Sequence, residues 1–207
     1  MVRAASVALL ATLMLGAATS ANATVLYFAT DLDGASEAPP NASPGTGSAF
    51  VRWNTANDMM RVKATFSGLL GTTTANHIHC CTAVPGTGTA GVATLVPAFL
   101  GFPLGVTSGS FDDLYDMTLA SSYRAGFITA APPSGGGGSI AVAEASLLAG
   151  LVDGKAYFNI HTSTVPGGEI RGFLQEVPEP ASITLLGVGL ALLGATRRRR
   201  KPQNAAA

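Results

Sequence analysis

Short runs in which apolar and polar residues alternate recur along the middle of the chain. In residues 59–66, for example, Met60, Val62, Ala64 and Phe66 fall on one side of an extended chain. A period of two is typical of a β-strand with one buried face. Similar runs between Gly and Pro clusters predict strands at residues 25–30, 48–53, 76–80, 91–96, 155–161 and 169–175. The pattern predicts an all-β domain, built as an antiparallel sandwich.

One segment of the domain departs from this period. Within residues 140–151, Val142, Ala145 and Leu148 recur at helical spacing. We therefore predict one short helix in the sandwich. It follows residues 131–139, whose two prolines and four glycines predict a surface loop.

The first 23 residues have the three parts of a secretory signal peptide. Arg3 supplies a positive charge, residues 4–18 form an apolar run, and Ala21 and Ala23 frame a small-x-small site. We predict cleavage by signal peptidase after Ala23. A transmembrane anchor is the alternative, but the apolar run is shorter than the roughly 20 residues that cross a bilayer.

The C-terminal end combines three features in a fixed order. Pro178, Glu179 and Pro180 precede an apolar stretch at 182–196, and an Arg-rich cluster follows at 197–201. A helix over that stretch spans about 22 Å against a roughly 30 Å hydrocarbon core, and the basic cluster should stay cytoplasmic.

Residues 177–201 resemble the PEP-CTERM sorting tag of Gram-negative bacteria, and residues 202–207 remain as a tail. The resemblance implies an exported protein at the cell surface or outside the cell. It also implies transient passage through the membrane and cleavage near the Pro-Glu-Pro motif by an exosortase-type protease. An ordinary C-terminal anchor is the alternative reading of the same segment.

The net charge of zero conceals an acidic domain. Residues 24–176 contain six Lys and Arg against eleven Asp and Glu, so that this segment is near −5. The balancing positive charges lie in the two terminal segments. A nucleic-acid partner is excluded, because such a partner requires a basic face.

The only two cysteines, Cys80 and Cys81, are adjacent in the sequence. An oxidising compartment permits disulfides, and four states of the pair remain open. The two sulfurs can close a ring with each other, cross-link two molecules, bind a metal or stay as buried thiols.

The only three histidines occur in two of the predicted strands. His77 and His79 flank Ile78 and therefore share one face of a strand, and His161 ends the run 155–161. If the two strands meet, three imidazoles converge in a set that suits Cu or Zn with one open position. The alternative is three histidines that only hydrogen-bond neighbouring loops.

Polar residues near these strands are candidates for structural support. Pro39 holds the segment around Glu37 extended, and Glu37 is predicted to pair with Arg171, although a solvated rim is the alternative for both charges. Asn159 shares a strand face with His161, and Glu169 lies two residues before Arg171. We assign these four polar residues a supporting role and identify no catalytic residue.

Several sequence blocks together resemble the CHRD domain, a module of exported proteins that is named from chordin. The blocks are residues 33–40, 68–69, 77–79, 86–91, 155–162 and 166–172. The resemblance covers about 25–175 and implies an extracellular all-β sandwich, immunoglobulin-like or dismutase-like in its Greek key. It implies no settled activity, and Cys80-Cys81 departs from the usual pattern.

A fainter similarity is to Cu/Zn superoxide dismutase. His77, His79, His161 and Arg171 follow the order of that family's copper histidines and arginine. The further histidines and the aspartate of the zinc loop are missing, so the similarity implies at most a single-metal site.

Two function hypotheses follow. The first is a non-catalytic binding or structural module of the matrix, biofilm or envelope, with an unknown extracellular ligand. The second is a Cu- or Zn-binding protein or a copper-dependent redox enzyme that uses His77, His79 and His161. No Gly-x-Ser-x-Gly, His-Glu-x-x-His or phosphate-loop motif occurs, which favours the first hypothesis.

Overall fold

Eight antiparallel strands dominate the computed structural model, which describes residues 24–178. The strands are β1 Val25–Asp33, β2 Thr46–Asn54, β3 Met59–Ser67, β4 Thr73–His79, β5 Gly109–Asp116, β6 Tyr157–Thr162, β7 Ile170–Phe173 and β8 Gln175–Glu176. Two helices, α1 Ala125–Thr129 and α2 Ile140–Val152, lie between β5 and β6. The predicted all-β class is confirmed, in the form of a curled half-barrel.

The sheet order brings together strands that are far apart in sequence. Its path is β4-β6-β7-β1-β2-β3-β5, with β8 paired to β1. β1, β2 and β3 are neighbours in the sheet as well as in the sequence, whereas β4 pairs with β6 across a long excursion that contains β5 and both helices. This long-range pair places His77 and His79 beside the strand that carries His161.

The alternating positions form the core on the concave side. Val51 and Trp53 of β2 and Met60 and Val62 of β3 are fully buried. Burying apolar side chains of this size stabilises a fold by about 1.5–3 kcal/mol each. Helix α2 covers part of this core with Leu147, Leu151 and other buried residues.

The predicted helix is confirmed, and a second one was not predicted. Ser139 caps α2 by accepting a hydrogen bond from the Val142 amide at 3.4 Å. α1 has only five residues, too few to show a helical period in the sequence. Residues 24–178 therefore contain two α-helices rather than one, besides a single 3-10 turn at Ala120–Ser122.

The strand predicted at residues 91–96 is wrong. The segment forms only two isolated bridges, from Val92 to His79 and from Thr94 to Tyr123. The carbonyl of Ile78 accepts hydrogen bonds from both Ala93 and Thr94, so the chain bends there and no regular ladder continues. The strand predicted at 169–175 is divided as well, because β7 ends at Phe173 beside β6 and β8, from Gln175, pairs with β1 instead.

Within residues 24–178, no helix is long and apolar enough to cross a membrane. The predicted signal peptide with Ala21 and Ala23 lies outside the described residues, and so do Glu179, Pro180 and the apolar stretch at 182–196.

Candidate metal centre

Three imidazoles converge on the outer face of the β4–β6 pair. In the register of this pair, His77 lies opposite Asn159, and His161 lies opposite Ala75. His161 is thus the diagonal neighbour of His77, a position from which long side chains make contact. The convergence predicted for the three histidines is what the structure shows.

The potential ligand atoms are close together. One ring nitrogen from each of the three histidines lies within 4.8 Å of the other two. The ring centroids of His77 and His161 are 4.7 Å apart, and those of His77 and His79 are 4.8 Å apart. A metal ion bound to nitrogen at about 2.0–2.1 Å would draw the three ring nitrogens closer together than they are here.

Backbone carbonyls fix the orientation of all three rings. The Nδ1 atoms of His77, His79 and His161 lie 3.2, 2.8 and 2.8 Å from carbonyl oxygens of the chain. Those oxygens belong, in the same order, to Pro97, Ala90 and Pro166. A carbonyl only accepts, so each Nδ1 carries the proton and each Nε2 of a neutral ring keeps a free lone pair.

Burial keeps these imidazoles neutral. Desolvation, together with repulsion from the other imidazoles, lowers the pKa of His77 to about 3. Desolvation lowers the pKa of His79 to about 4 and also lowers that of His161. The Nε2 atoms of His79 and His161 are buried and have no hydrogen-bond partner within residues 24–178. Buried nitrogen atoms without partners are uncommon, and a bound metal ion would satisfy both.

An aromatic side chain that the sequence analysis did not assign to the site supports it from one side. Tyr157 stacks on His79 with ring centroids 4.6 Å apart and planes 6° from parallel. The Arg171 guanidinium lies 4.7 Å from the centre of the Tyr157 ring on β6. Tyr157 lies on this face because it alternates with Asn159 and His161 along β6. This alternation was the only signal in the sequence for the contact between Tyr157 and His79.

Glu37 and Arg171 form the predicted pair, and the rim alternative is wrong. Their side chains are only 5% and 6% exposed, with Oε2 of Glu37 3.8 Å from Nε of Arg171. Arg171 also donates to the carbonyls of Ser36 and Gly88, and Asn159 donates to Oε2 of Glu37 at 3.5 Å. Burial raises the pKa of Glu37 to about 7, although the Arg171 charge opposes the shift.

Glu169 has a structural role at a loop junction. Its fully buried carboxylate accepts hydrogen bonds from the Ser43 and Thr162 hydroxyls at 2.6 and 2.5 Å. The Leu70 and Gly71 amides add two more at 2.6 and 3.3 Å. Desolvation alone would raise the pKa of this carboxyl, but the four donors outweigh it and the pKa is lowered.

Cys80 and Cys81 are bonded to each other, which is the ring closure among the four alternatives. Cys80 points into the core, away from the histidine face. Both sulfurs lie against Gly150 of α2 and near the Ser146 carbonyl. The disulfide thus packs the end of β4 against α2, and its sulfurs are not part of the histidine cluster.

A family model of the CHRD domain matches residues 28–174, most of the chain. The chain belongs to the CHRD domain family. A model of the PEP-CTERM protein-sorting motif matches residues 176–201. No curated protein and no solved structure matches the chain.

The two matches confirm the architecture predicted from the sequence. A CHRD domain is followed by a PEP-CTERM signal, so the protein is targeted to an exosortase and is exported to the cell surface or the extracellular space of a Gram-negative bacterium. Neither family description names an activity or a metal.

Proposed function

We propose that the CHRD domain of this protein acts as a non-catalytic binding or structural module in the extracellular matrix, biofilm or envelope. The observation that carries this proposal is the pairing of a CHRD domain with a PEP-CTERM motif. A rigid β-scaffold whose loops lie on the outside is typical of such modules. The ligand would be an extracellular molecule.

Maturation would proceed in two cleavages. Signal peptidase would cut after Ala23, and the tag at 177–201 would hold the chain in the membrane through residues 182–196 until an exosortase-type protease removes it. The mature domain would then comprise about residues 24–176, an acidic segment without the terminal basic clusters.

Replacing Pro178 or Glu179 with alanine should block removal of the C-terminal tag. The two substitutions alter the motif by which the family is recognised, while the folded domain ends before it. Intact mass spectrometry of the exported protein should then show the tag retained. Asp113→Ala, which changes an exposed carboxylate of β5 outside the residues that match the sorting motif, is the matched control and should mature normally. A normal mature mass for both motif variants would contradict the prediction.

The histidine geometry favours a second candidate function, in which the domain binds one transition-metal ion. The observation that carries it is the convergence of one ring nitrogen from each of three histidines, whose rings are already oriented by carbonyls. Imidazole nitrogens suit Cu and Zn, and hydrogen bonds at Nδ1 are what orients metal-binding histidines. His77, His79 and His161 would hold the ion, and residues 24–178 add no further histidine, cysteine or carboxylate to this cluster.

Metal analysis of the full chain, purified in detergent and loaded with Cu or Zn, tests this candidate. We expect about one ion per chain and a raised melting temperature, since a ligand that binds only the folded state stabilises it. His77→Ala should remove the bound ion while the chain stays folded. Asp112→Asn, which changes an exposed carboxylate, is the control for adventitious binding. Less than about 0.2 equivalents with unchanged melting would overturn the candidate.

A further inference from the structure

The charges around the three histidines discriminate between metal ions. Within residues 24–178, the cluster of potential ligand atoms consists of the three histidines and includes no carboxylate or thiolate. A bound ion would therefore keep its full charge, because neutral imidazoles compensate none of it.

We propose that the three-histidine site takes monovalent copper, Cu(I), in preference to divalent ions such as Zn(II). This inference rests on the metal-binding candidate above and names the ion for that same site.

Burial penalises a doubly charged ion most strongly. His77 is only 6% exposed, and the Nε2 atoms of His79 and His161 are shielded from solvent. The free energy required to transfer an ion from water to a less polar interior rises with the square of its charge. The desolvation penalty of a dication is therefore about four times that of a monocation. Because the ligand set contains no anion, only the attraction between the ion and the imidazole nitrogens offsets this difference.

Two arginines add to the discrimination. Arg171 and Arg124 both exert a positive field on His79. Arg124 lines the same cleft as Ala90, whose carbonyl orients His79. The Arg171 guanidinium lies over the ring of Tyr157, which itself stacks on His79. Each arginine repels a dication twice as strongly as a monocation at the same place. Glu37 offsets part of the Arg171 charge through their ion pair, whereas no ion pair to Arg124 is found within residues 24–178.

The coordination number points the same way. Zn(II) held by three protein ligands takes a water molecule or a substrate as its fourth ligand, so at this site, where three ligands converge, Zn(II) would have to keep a water molecule in a buried position. Cu(I) forms stable complexes with three or even two nitrogen donors, so it requires no further ligand. A buried, three-coordinate, uncharged donor set is therefore matched to the monovalent ion.

Anaerobic competition on the full chain in detergent tests the proposal. The chain is loaded with one equivalent of Cu(I) from a chromophoric Cu(I) chelator and then exposed to a tenfold excess of Zn(II). We expect Cu(I) to stay bound. Displacement of Cu(I) by Zn(II) would overturn the preference for the monovalent ion while leaving metal binding in place. Failure to bind either ion would overturn both this proposal and the metal-binding candidate.

A charge variant should change the affinity for Zn(II) relative to that for Cu(I). A purely structural role of the arginine would leave this ratio unchanged. Arg124→Gln removes an exposed guanidinium, and it should raise the affinity for Zn(II) about twofold to fivefold more than that for Cu(I). Arg52→Gln is the matched control, because β7 and β1 separate its strand β2 from β6. An unchanged Zn(II)-to-Cu(I) ratio in Arg124→Gln, or the same change in Arg52→Gln, would count against the electrostatic argument.

Discussion

Replacing Glu169 with glutamine should lower the free energy of unfolding by about 2–4 kcal/mol. The carboxylate is fully buried and accepts four hydrogen bonds, two from hydroxyls and two from backbone amides. A glutamine side chain keeps one acceptor oxygen and turns an NH₂ group toward the remaining donors. Buried donors that lose their acceptor cost about 1–3 kcal/mol each.

The size of this effect follows from what Glu169 connects. Ser43 belongs to the β1–β2 connection, Leu70 and Gly71 belong to the β3–β4 connection, and Thr162 ends β6. One carboxylate therefore holds two loops against the β6 strand that carries His161. Loss of the negative charge loosens all three segments together.

Urea unfolding of the wild type and of Glu169→Gln measures the difference. Glu176→Gln, which changes an exposed carboxylate on β8, should leave the midpoint unchanged. The pKa of Glu169 is lowered in the fold, so its ionised form stabilises the protein at neutral pH, and this contribution is lost as the pH falls through the lowered pKa. The difference in the free energy of unfolding between wild type and variant should accordingly become smaller in acid. A gap below about 1 kcal/mol at pH 7 would show that the four hydrogen bonds are not coupled to stability.

Replacing Gly150 with alanine should destabilise the fold by about 1–3 kcal/mol. Alanine normally stabilises an exposed helix interior by about 1 kcal/mol relative to glycine, so the expected sign is reversed. The reason is that a methyl group at this position would overlap the Sγ atoms of both Cys80 and Cys81. The overlapping atoms belong to a closed disulfide ring rather than to the far end of a flexible side chain.

Gly126→Ala in α1 is the matched control. Its added methyl group would meet only the Arg124 side chain, at 3.8 Å, which is an ordinary contact. Thermal unfolding should therefore show a lower midpoint for Gly150→Ala and an unchanged or slightly higher one for Gly126→Ala. Equal midpoints for the two variants would show that the sulfur pair does not pack against α2 as described.

Much of the fold was visible in the sequence because local patterns determine it. The alternation from Met60 to Phe66 identified β3 within one residue, and the helical spacing of Val142, Ala145 and Leu148 identified α2. The segment 91–96 has an apolar composition but makes its hydrogen bonds irregularly. Its conformation depends on partners distant in sequence, which a local pattern does not reveal.

The candidate site was predictable in its residues and only partly in its geometry. The spacing of His77 and His79 places both on one face, but their meeting with His161 required β4 to pair with β6 across about 80 residues. The orienting groups are backbone carbonyls of Ala90 and Pro97 and of one further loop residue. Every residue has a carbonyl, so composition and motifs carry no signal for them.

The claim that His77, His79 and His161 bind one metal ion is tested most directly by X-ray absorption at the copper edge of the loaded full chain. We expect one copper per chain, surrounded by imidazole nitrogens at about 2 Å and by no sulfur. Loss of this spectrum in His161→Ala would identify the ligand set. A sulfur shell from Cys80 and Cys81, or copper that washes out of the wild-type chain, would contradict the account.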